Sequence, residues 1–127
     1  MENYHGPSGS TIKGTGGKRG RHSDKKLRMV GGPFTATKVG KQDVRQTERK
    51  RGNTFKVKLK TAHFANVLGK DGKIRKVSIR TVLETPDNRH YARQNIITKG
   101  AIIDTELGKA KVINRVGQEG VVNAKLL

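Results

Sequence analysis

Carboxylates and histidines are the side chains of this 127-residue sequence that could do acid–base chemistry. Asp104 and Glu106 alternate onto one face of a predicted strand, and Glu84 lies near Asp87, but neither pair has an obvious catalytic partner. No two of the four histidines are three to five residues apart, and there is no cysteine, so we expect no metal site, cofactor or thiol nucleophile. A small hydrolase using Asp104 and Glu106 is the least favoured hypothesis, and we predict that the protein is not an enzyme.

A glycine-rich basic stretch at residues 14–21 has the composition of a phosphate-binding loop but not its spacing. A dinucleotide-binding fingerprint that begins at Gly14 needs glycine at position 19, and a Walker-type loop that ends at Gly17-Lys18 needs Ser or Thr at the same position. Position 19 is Arg19, so neither motif is present. We interpret the stretch as a flexible basic tail, whose glycines let the backbone approach phosphates closely.

Positive charge is the dominant chemical feature. The chain has 28 Lys and Arg against 10 Asp and Glu, a formal net charge of +18, and residues 18–60 hold 15 of those bases with three acids. This excess indicates a polyanionic partner rather than an ordinary solvated face. A membrane would require amphipathic periodicity, and single-strand stacking would require more aromatic residues, so contact with the backbone of a folded RNA or a duplex fits best. The predicted contacts in this run are Lys18, Arg19, Arg21, Lys25, Lys26, Arg28, Lys38, Lys41, Arg45, Arg49, Lys50, Arg51, Lys56 and Lys58.

The charge and the core lie in different parts of the chain. Residues 1–52 contain ten of the 16 glycines and only ten apolar residues, too few to offset about 1 to 2 kcal/mol of backbone entropy per ordered residue. Residues 53–127 contain 30 apolar residues in 75. We therefore predict a basic extension over residues 1–52, which becomes ordered on its RNA, and a folded core over residues 53–127.

Apolar residues of the core segment recur with a period of two, which indicates strands. Phe55, Val57 and Leu59, for example, alternate with lysines. About six short strands separated by glycine-containing turns predict a mainly β fold, a small antiparallel barrel or sandwich, with barrel closure removing exposed edges. Residues 88–94 are predicted as a loop or one to two helical turns, and any helix over residues 41–51 would be solvated or lie on phosphates. Strand signals occupy seven segments, counted above as about six strands: 55–60, 62–68, 77–83, 95–98, 101–105, 109–116 and 120–126.

Several segments resemble those of a known family. In the front half these are Thr15-Gly16-Gly17, Thr37-Lys38-Val39-Gly40, Arg51-Gly52-Asn53 and Ala65-Asn66-Val67. In the second half they are Thr85-Pro86-Asp87-Asn88-Arg89-His90-Tyr91, Asn95-Ile96-Ile97-Thr98-Lys99-Gly100-Ala101-Ile102-Ile103, Thr105-Glu106-Leu107-Gly108 and Gly117-Gln118-Glu119-Gly120-Val121-Val122-Asn123-Ala124. Together they are similar to the eight-e family of archaeal and eukaryotic small-subunit ribosomal proteins, in its short archaeal form.

The resemblance implies a structural, rRNA-binding constituent of the small (30S) ribosomal subunit in the cytoplasm, with neighbouring ribosomal proteins as further partners. It also implies a β-barrel core, a basic extension threaded among rRNA helices, and RNA-facing loops at residues 88–91 and 98–100. Arg89, His90, Arg93 and Lys99, in or next to those loops, would contact rRNA. The sequence departs from the family pattern at two places. The family usually has two glycines where this sequence has only Gly52, and it commonly has proline at the position of Val116. A free-standing RNA chaperone or regulator is the alternative that remains open.

Overall fold

A computed structural model describes residues 3–6, 11–17, 24–50 and 52–127 of the chain. The chain forms two compact units, Met1–Phe34 and Thr35–Leu127. The described elements of the second unit are β1 (Thr37–Val39), β2 (Val44–Arg49), β3 (Phe55–Ala62), β4 (Phe64–Leu68), β5 (Ile74–Glu84), α1 (Arg89–Arg93), β6 (Ile96–Ile97), β7 (Ile102–Thr105), β8 (Gly108–Val112), α2 (Val116–Glu119) and β9 (Asn123–Leu126).

Backbone hydrogen bonds organise the first unit. Residues 3–6 run antiparallel to residues 29–32, where the N–H of His5 donates to Met29 O at 2.9 Å and the N–H of Gly31 donates to Asn3 O at 2.7 Å. One turn of 3-10 helix, Leu27–Met29, precedes this pairing, and Leu27 is 85% exposed. None of the described residues of this unit is buried. The described part of the unit therefore has no hydrophobic core.

Five strands of the second unit form a closed barrel in the order β4-β5-β7-β8-β9. Consecutive neighbours are antiparallel, whereas the pair that closes the barrel, β4 with β9, is parallel. Five alternating strands leave the first and the last running in the same direction, so an odd-stranded barrel of this kind can close only through a parallel pair. Val67, Ile103 and Val112 are at most 1% exposed and fill the interior with branched side chains.

The remaining four strands form a second sheet in the order β2-β3-β1-β6. Its short central strand β1 runs parallel to β3 and antiparallel to β6. The fully buried Thr37 joins the two strands further, because its hydroxyl donates to Leu59 O at 2.6 Å. β3 ends at Ala62 and β4 begins at Phe64, so the chain passes directly from this sheet into the barrel.

The carboxylate of Asp43 holds this passage. Its Oδ1 accepts hydrogen bonds from the N–H of His63 at 2.7 Å and of Phe64 at 3.3 Å. Nearby, the N–H of Gly40 donates to Ala62 O at 3.0 Å, and Nδ1 of His63 lies 3.1 Å from Gly40 O. The loop between β1 and β2 thus satisfies backbone groups where the chain changes sheets.

The closed barrel confirms the predicted mainly β fold. Strands form in each of the seven predicted segments, with shifted ends, and α1 forms within residues 88–94. Residues 44–49 form a strand and not a helix, because β2 pairs with β3 from Val44 to Arg49 and this pairing outweighs local composition. The structure also forms α2 where we expected a turn. The predicted boundary between residues 52 and 53 falls between β2 and β3, which are hydrogen-bonded neighbours in one unit.

Gly120 ends α2 and should be intolerant of a side chain for two reasons. Its φ is +71°, and a Cβ there would lie 2.7 Å from Cγ1 of Val57. We expect Gly120→Ala to lower the free energy of unfolding by roughly 2 to 4 kcal/mol, combining left-handed backbone strain with overpacking. Gly72→Ala is the matched control, since its φ is +74° but no atom lies within 4 Å. Urea unfolding should show a loss of about 1 kcal/mol for the control; equal losses for both variants would contradict the packing argument.

Candidate nucleic-acid interface

Strands β2 and β3 form a two-stranded unit that, together with Lys50 at the end of β2, we call the basic ribbon. Alternate residues of a strand point to opposite faces, and directly paired residues share a face. Lys56 and Lys58 pair with Glu48 and Gln46, so these four lie on one face of the ribbon, the lysine face. The other face carries Arg45, Thr47 and Arg49 opposite Leu59, Val57 and Phe55.

A β-bulge at the base of the ribbon changes the alternation. Val44 pairs with Thr61 but Arg45 pairs with Leu59, so Lys60 is the additional residue on β3. Because of this insertion, Leu59 and Ala62 are both buried although they are three residues apart, and Lys60 remains exposed. The bulge therefore allows the same strand to contribute to the core and to present a lysine to solvent.

Glu48 is the acidic residue of the ribbon, and two lysines bind it. Its carboxylate oxygens lie 2.8 Å from Nζ of Lys50 and 2.5 Å from Nζ of Lys58. The hydrogen bond from Lys50 and then that from Lys58 lower the pKa of Glu48 from 4.5 to about 2. The Lys58 side chain is only 15% exposed, so it is less available to an external anion than the exposed Lys56 and Lys60.

Arg45 joins the ribbon to the end of α2. Its Nε donates to Gly120 O at 2.8 Å, and its guanidinium lies 3.3 Å from the carboxylate of Asp43. Arg49, in contrast, is exposed next to Phe55, which is 62% exposed. The two arginines that were predicted together as phosphate contacts therefore occupy different surroundings: one fixes the ribbon and the other faces solvent.

The predicted loop residues lie at the other end of the four-stranded sheet, where α1 precedes the edge strand β6. The side chain of Asn88 caps this helix by accepting the N–H of His90 at 2.9 Å. Arg89 and Arg93 are both exposed and four residues apart, so they share one side of the helix. Lys99 is exposed in the connection between β6 and β7.

The remaining predicted contacts divide into three groups. Lys38 is exposed in β1 and Lys41 is exposed in the loop that follows it. In the first unit Lys25, Lys26 and Arg28 are exposed, and Nζ of Lys25 lies 5.7 Å from the ring centroid of Tyr4, a cation–π contact. The predictions for Lys18, Arg19, Arg21 and Arg51 lie outside the described residues.

The carboxylates considered for catalysis make contacts that stabilise the fold. Glu106 accepts a hydrogen bond from Oγ of Ser78 at 2.6 Å, and Asp104 pairs across the strands with Lys109. In the described ranges, no group of three or more His, Asp and Glu could hold a metal ion. None of the helices that the structure describes is long and apolar enough to cross a membrane.

Comparison with known proteins decides the family. The model of the family described as ribosomal protein S8e matches residues 8–127. The chain belongs to this family. Small ribosomal subunit protein eS8 of Sulfolobus acidocaldarius is 46% identical over 128 residues, which span 100% of this chain and 98% of that protein. The protein of the same name from Hyperthermus butylicus is 48% identical over 98% of this chain and 91% of its own length, and that from Methanococcus maripaludis is 47% identical over 89% of each.

Membership of the S8e family confirms the predicted resemblance, including the archaeal relatives. S8e proteins are structural components of the ribosome and not enzymes, which confirms the non-enzymatic prediction. Asp104 and Glu106 are thereby left with the structural contacts described above.

Sequence reasoning missed the roles of the two acids near the ribbon. Asp43 and Glu48 counted only as the minority charge within a basic run, whereas one holds the passage into the barrel and the other binds two of its lysines. For Glu48 a signal was present, because residues two apart share a face once residues 44–49 are read as a strand. For the role of Asp43 at the passage no such signal existed, since the partners there are backbone groups about twenty residues away.

The Glu48 ion pairs predict a dependence of stability on pH. A carboxyl whose pKa is lowered by folding stabilises the fold above its unfolded pKa and loses that contribution as pH falls. We expect the contribution of Glu48 to be complete above about pH 4.5 and to disappear towards about pH 2. Carboxyl ¹³C NMR titration should give a Glu48 pKa near 2 that rises in the Lys50→Gln/Lys58→Gln variant. Titration of Glu48 near 4.5 in the unaltered chain would contradict the geometry.

Proposed function

We propose that this S8e protein is a structural constituent of the small ribosomal subunit that binds and stabilises folded rRNA through contacts with the phosphate backbone. The observation that supports it best is the lysine face of the basic ribbon. There Lys56 is exposed, as is Lys60 at the adjoining bulge, while the ribbon's acid, Glu48, is engaged by Lys50 and Lys58. Among the described residues the ion pairs involve neither Lys56 nor Lys60, so an incoming phosphate would meet uncompensated ammonium groups.

The exposed lysines of the ribbon suit a backbone rather than base edges. Lysine is a compact charge on a flexible stem and lacks the fork with which arginine recognises base edges. Such contacts hold a protein in place on RNA but read no sequence, which fits a protein that stabilises one folded RNA.

Other basic residues extend the proposed contact. Residues 35–62 contain nine Lys and Arg against two acids, both of which have basic partners within the described residues. Arg89, His90 and Arg93 on α1, with Lys99, form a second proposed contact area near the opposite edge of the sheet. For residues 1–52 we propose ordering on rRNA; in their first 34 residues the described part buries no side chain, so contacts with phosphates would supply the stabilisation that a core supplies elsewhere.

Fractionation of a cell lysate on a sucrose gradient tests the ribosomal assignment. We expect the protein to sediment with the small subunit in near-stoichiometric amounts. A protein found mainly in the light fractions would contradict the proposal and favour a free-standing RNA chaperone or regulator.

The salt dependence of rRNA binding tests the phosphate contacts. With about eight contacts, affinity should fall by roughly 10³ to 10⁵ between 50 and 200 mM salt on the duplex-DNA scale, and by less on single strands. Filter binding or fluorescence anisotropy with small-subunit rRNA fragments measures this dependence. An affinity that does not change with salt would rule out binding by charge neutralisation.

Matched charge variants test the lysine face itself. We expect Lys56→Gln/Lys60→Gln to weaken rRNA binding and to reduce the logarithmic salt slope by about 2, one unit for each phosphate that a lysine no longer neutralises. Lys70→Gln/Lys73→Gln removes the same charge from the exposed turn between β4 and β5 and should leave the slope nearly unchanged. If both double variants had the same effect, net charge rather than the ribbon would explain binding.

A further inference from the structure

A groove of about 490 Å³ opens on the barrel, beside the connection that follows β6 and the ends of β8 and β9. Three lysines, Lys99, Lys111 and Lys125, line it together with large apolar side chains. Two of these apolar side chains are substantially exposed, Ile113 at 52% and Leu127 at 59%, and Leu126 is partly buried against the core. The groove thus combines a cluster of cations with an apolar surface that water covers in the isolated chain.

Two of the lysines are held in an unfavourable position. Lys111 and Lys125 are directly opposite one another in the pairing of β8 with β9. Like charges in such a position destabilise a sheet, because directly opposed Cβ atoms are roughly 4.5 to 5.5 Å apart. Within the described residues, the ion pairs involve neither lysine nor Lys99. A bound carboxylate or other anion would relieve this repulsion.

The backbone around the groove has no free edge for an added strand. β8 is hydrogen-bonded on both sides, to β7 and β9. The N–H groups of Gly100, Ile113 and Leu127 donate to Val112 O, Asn123 O and Lys109 O. A ligand must therefore be recognised by side chains. An RNA backbone would satisfy the lysines but leave Ile113 and Leu127 in contact with water, whereas a peptide with alternating acidic and aliphatic residues would satisfy both.

We propose that this groove binds an acidic, aliphatic segment of a neighbouring protein of the small subunit. A carboxylate of the segment lies between Lys111 and Lys125, and aliphatic side chains cover Ile113 and Leu127. The identification of the partner as a ribosomal protein rests on the proposed function. The acidic and aliphatic chemistry of the segment rests on the groove itself.

The test uses the full chain and a fluorescein-labelled synthetic peptide, Glu-Leu-Asp-Leu-Glu-Ile-Asp, in fluorescence anisotropy at about 150 mM salt, where long-range attraction is screened. A second peptide carries serine at every aliphatic position. We expect the aliphatic peptide to bind at least about tenfold more tightly than the serine peptide, and Lys111→Gln/Lys125→Gln to weaken it by about tenfold or more. Ile113→Ser, at an exposed position, should weaken only the aliphatic peptide.

Lys70→Gln/Lys73→Gln again removes two charges elsewhere and should change peptide affinity less than about twofold. Equal weakening by this control, or equal binding of the two peptides, would overturn the proposal. The proposal would also be overturned if Lys111→Gln/Lys125→Gln weakened binding of a ten-nucleotide RNA as strongly as binding of the peptide, since the groove would then be a phosphate site.

The rRNA affinity of Lys56→Gln/Lys60→Gln is measured separately, so failure of the groove proposal can be distinguished from failure of the proposed function. Thermal melts establish that each variant is folded, and replacement of one opposed lysine should raise the melting temperature.

Discussion

Closure of the barrel through the parallel pair β4–β9 is the constraint on which the rest of the structure depends. The pair is reinforced at one end, where the N–H of Asn66 donates to Val122 O at 2.8 Å and its side-chain amide donates to Oδ1 of Asn123 at 3.1 Å. Because β4 is the direct continuation of β3, the bonds that close the barrel also fix the base of the basic ribbon. The hydrogen bond from Arg45 to Gly120 adds a second attachment, close to β9 in the sequence.

A chain with this charge must hold many cations on a small folded body without an acid for each one. It does so by placing its few acids at structural positions. Asp43 accepts two backbone N–H groups and pairs with Arg45, and Glu48 binds Lys50 and Lys58 across the ribbon. These contacts stabilise the sheet and at the same time leave Lys56 and Lys60 exposed on it. The division between structural and available cations is therefore set by which of them contact the few acids, and not by composition.

Much of the barrel could be predicted from the sequence, because its strands bury one face and so alternate apolar and polar residues. β1 and β2 could not be predicted in this way. β1 has three residues, and β2 is almost entirely exposed, so both depend on pairing with β3 and not on a pattern of their own. The bulge at Lys60 was equally hidden, since it is defined by the partner strand. For the candidate interface, composition indicated a polyanion, but only the folded contacts separated Arg45, bound to Gly120 O, from Arg49, and Lys58, bound to Glu48, from Lys56.

Directed hydroxyl-radical probing tests most directly whether the lysine face lies on the rRNA backbone. The chain has no cysteine, so Gln46→Cys introduces one thiol on that face, to which Fe(II)-EDTA can be attached before reconstitution of the small subunit. Asp71→Cys, in the exposed turn after β4, is the positional control. We predict strong cleavage at discrete rRNA sites from Gln46→Cys, and weaker or different cleavage from the control. Absence of cleavage from Gln46→Cys, in subunits that demonstrably contain the protein, would contradict the account.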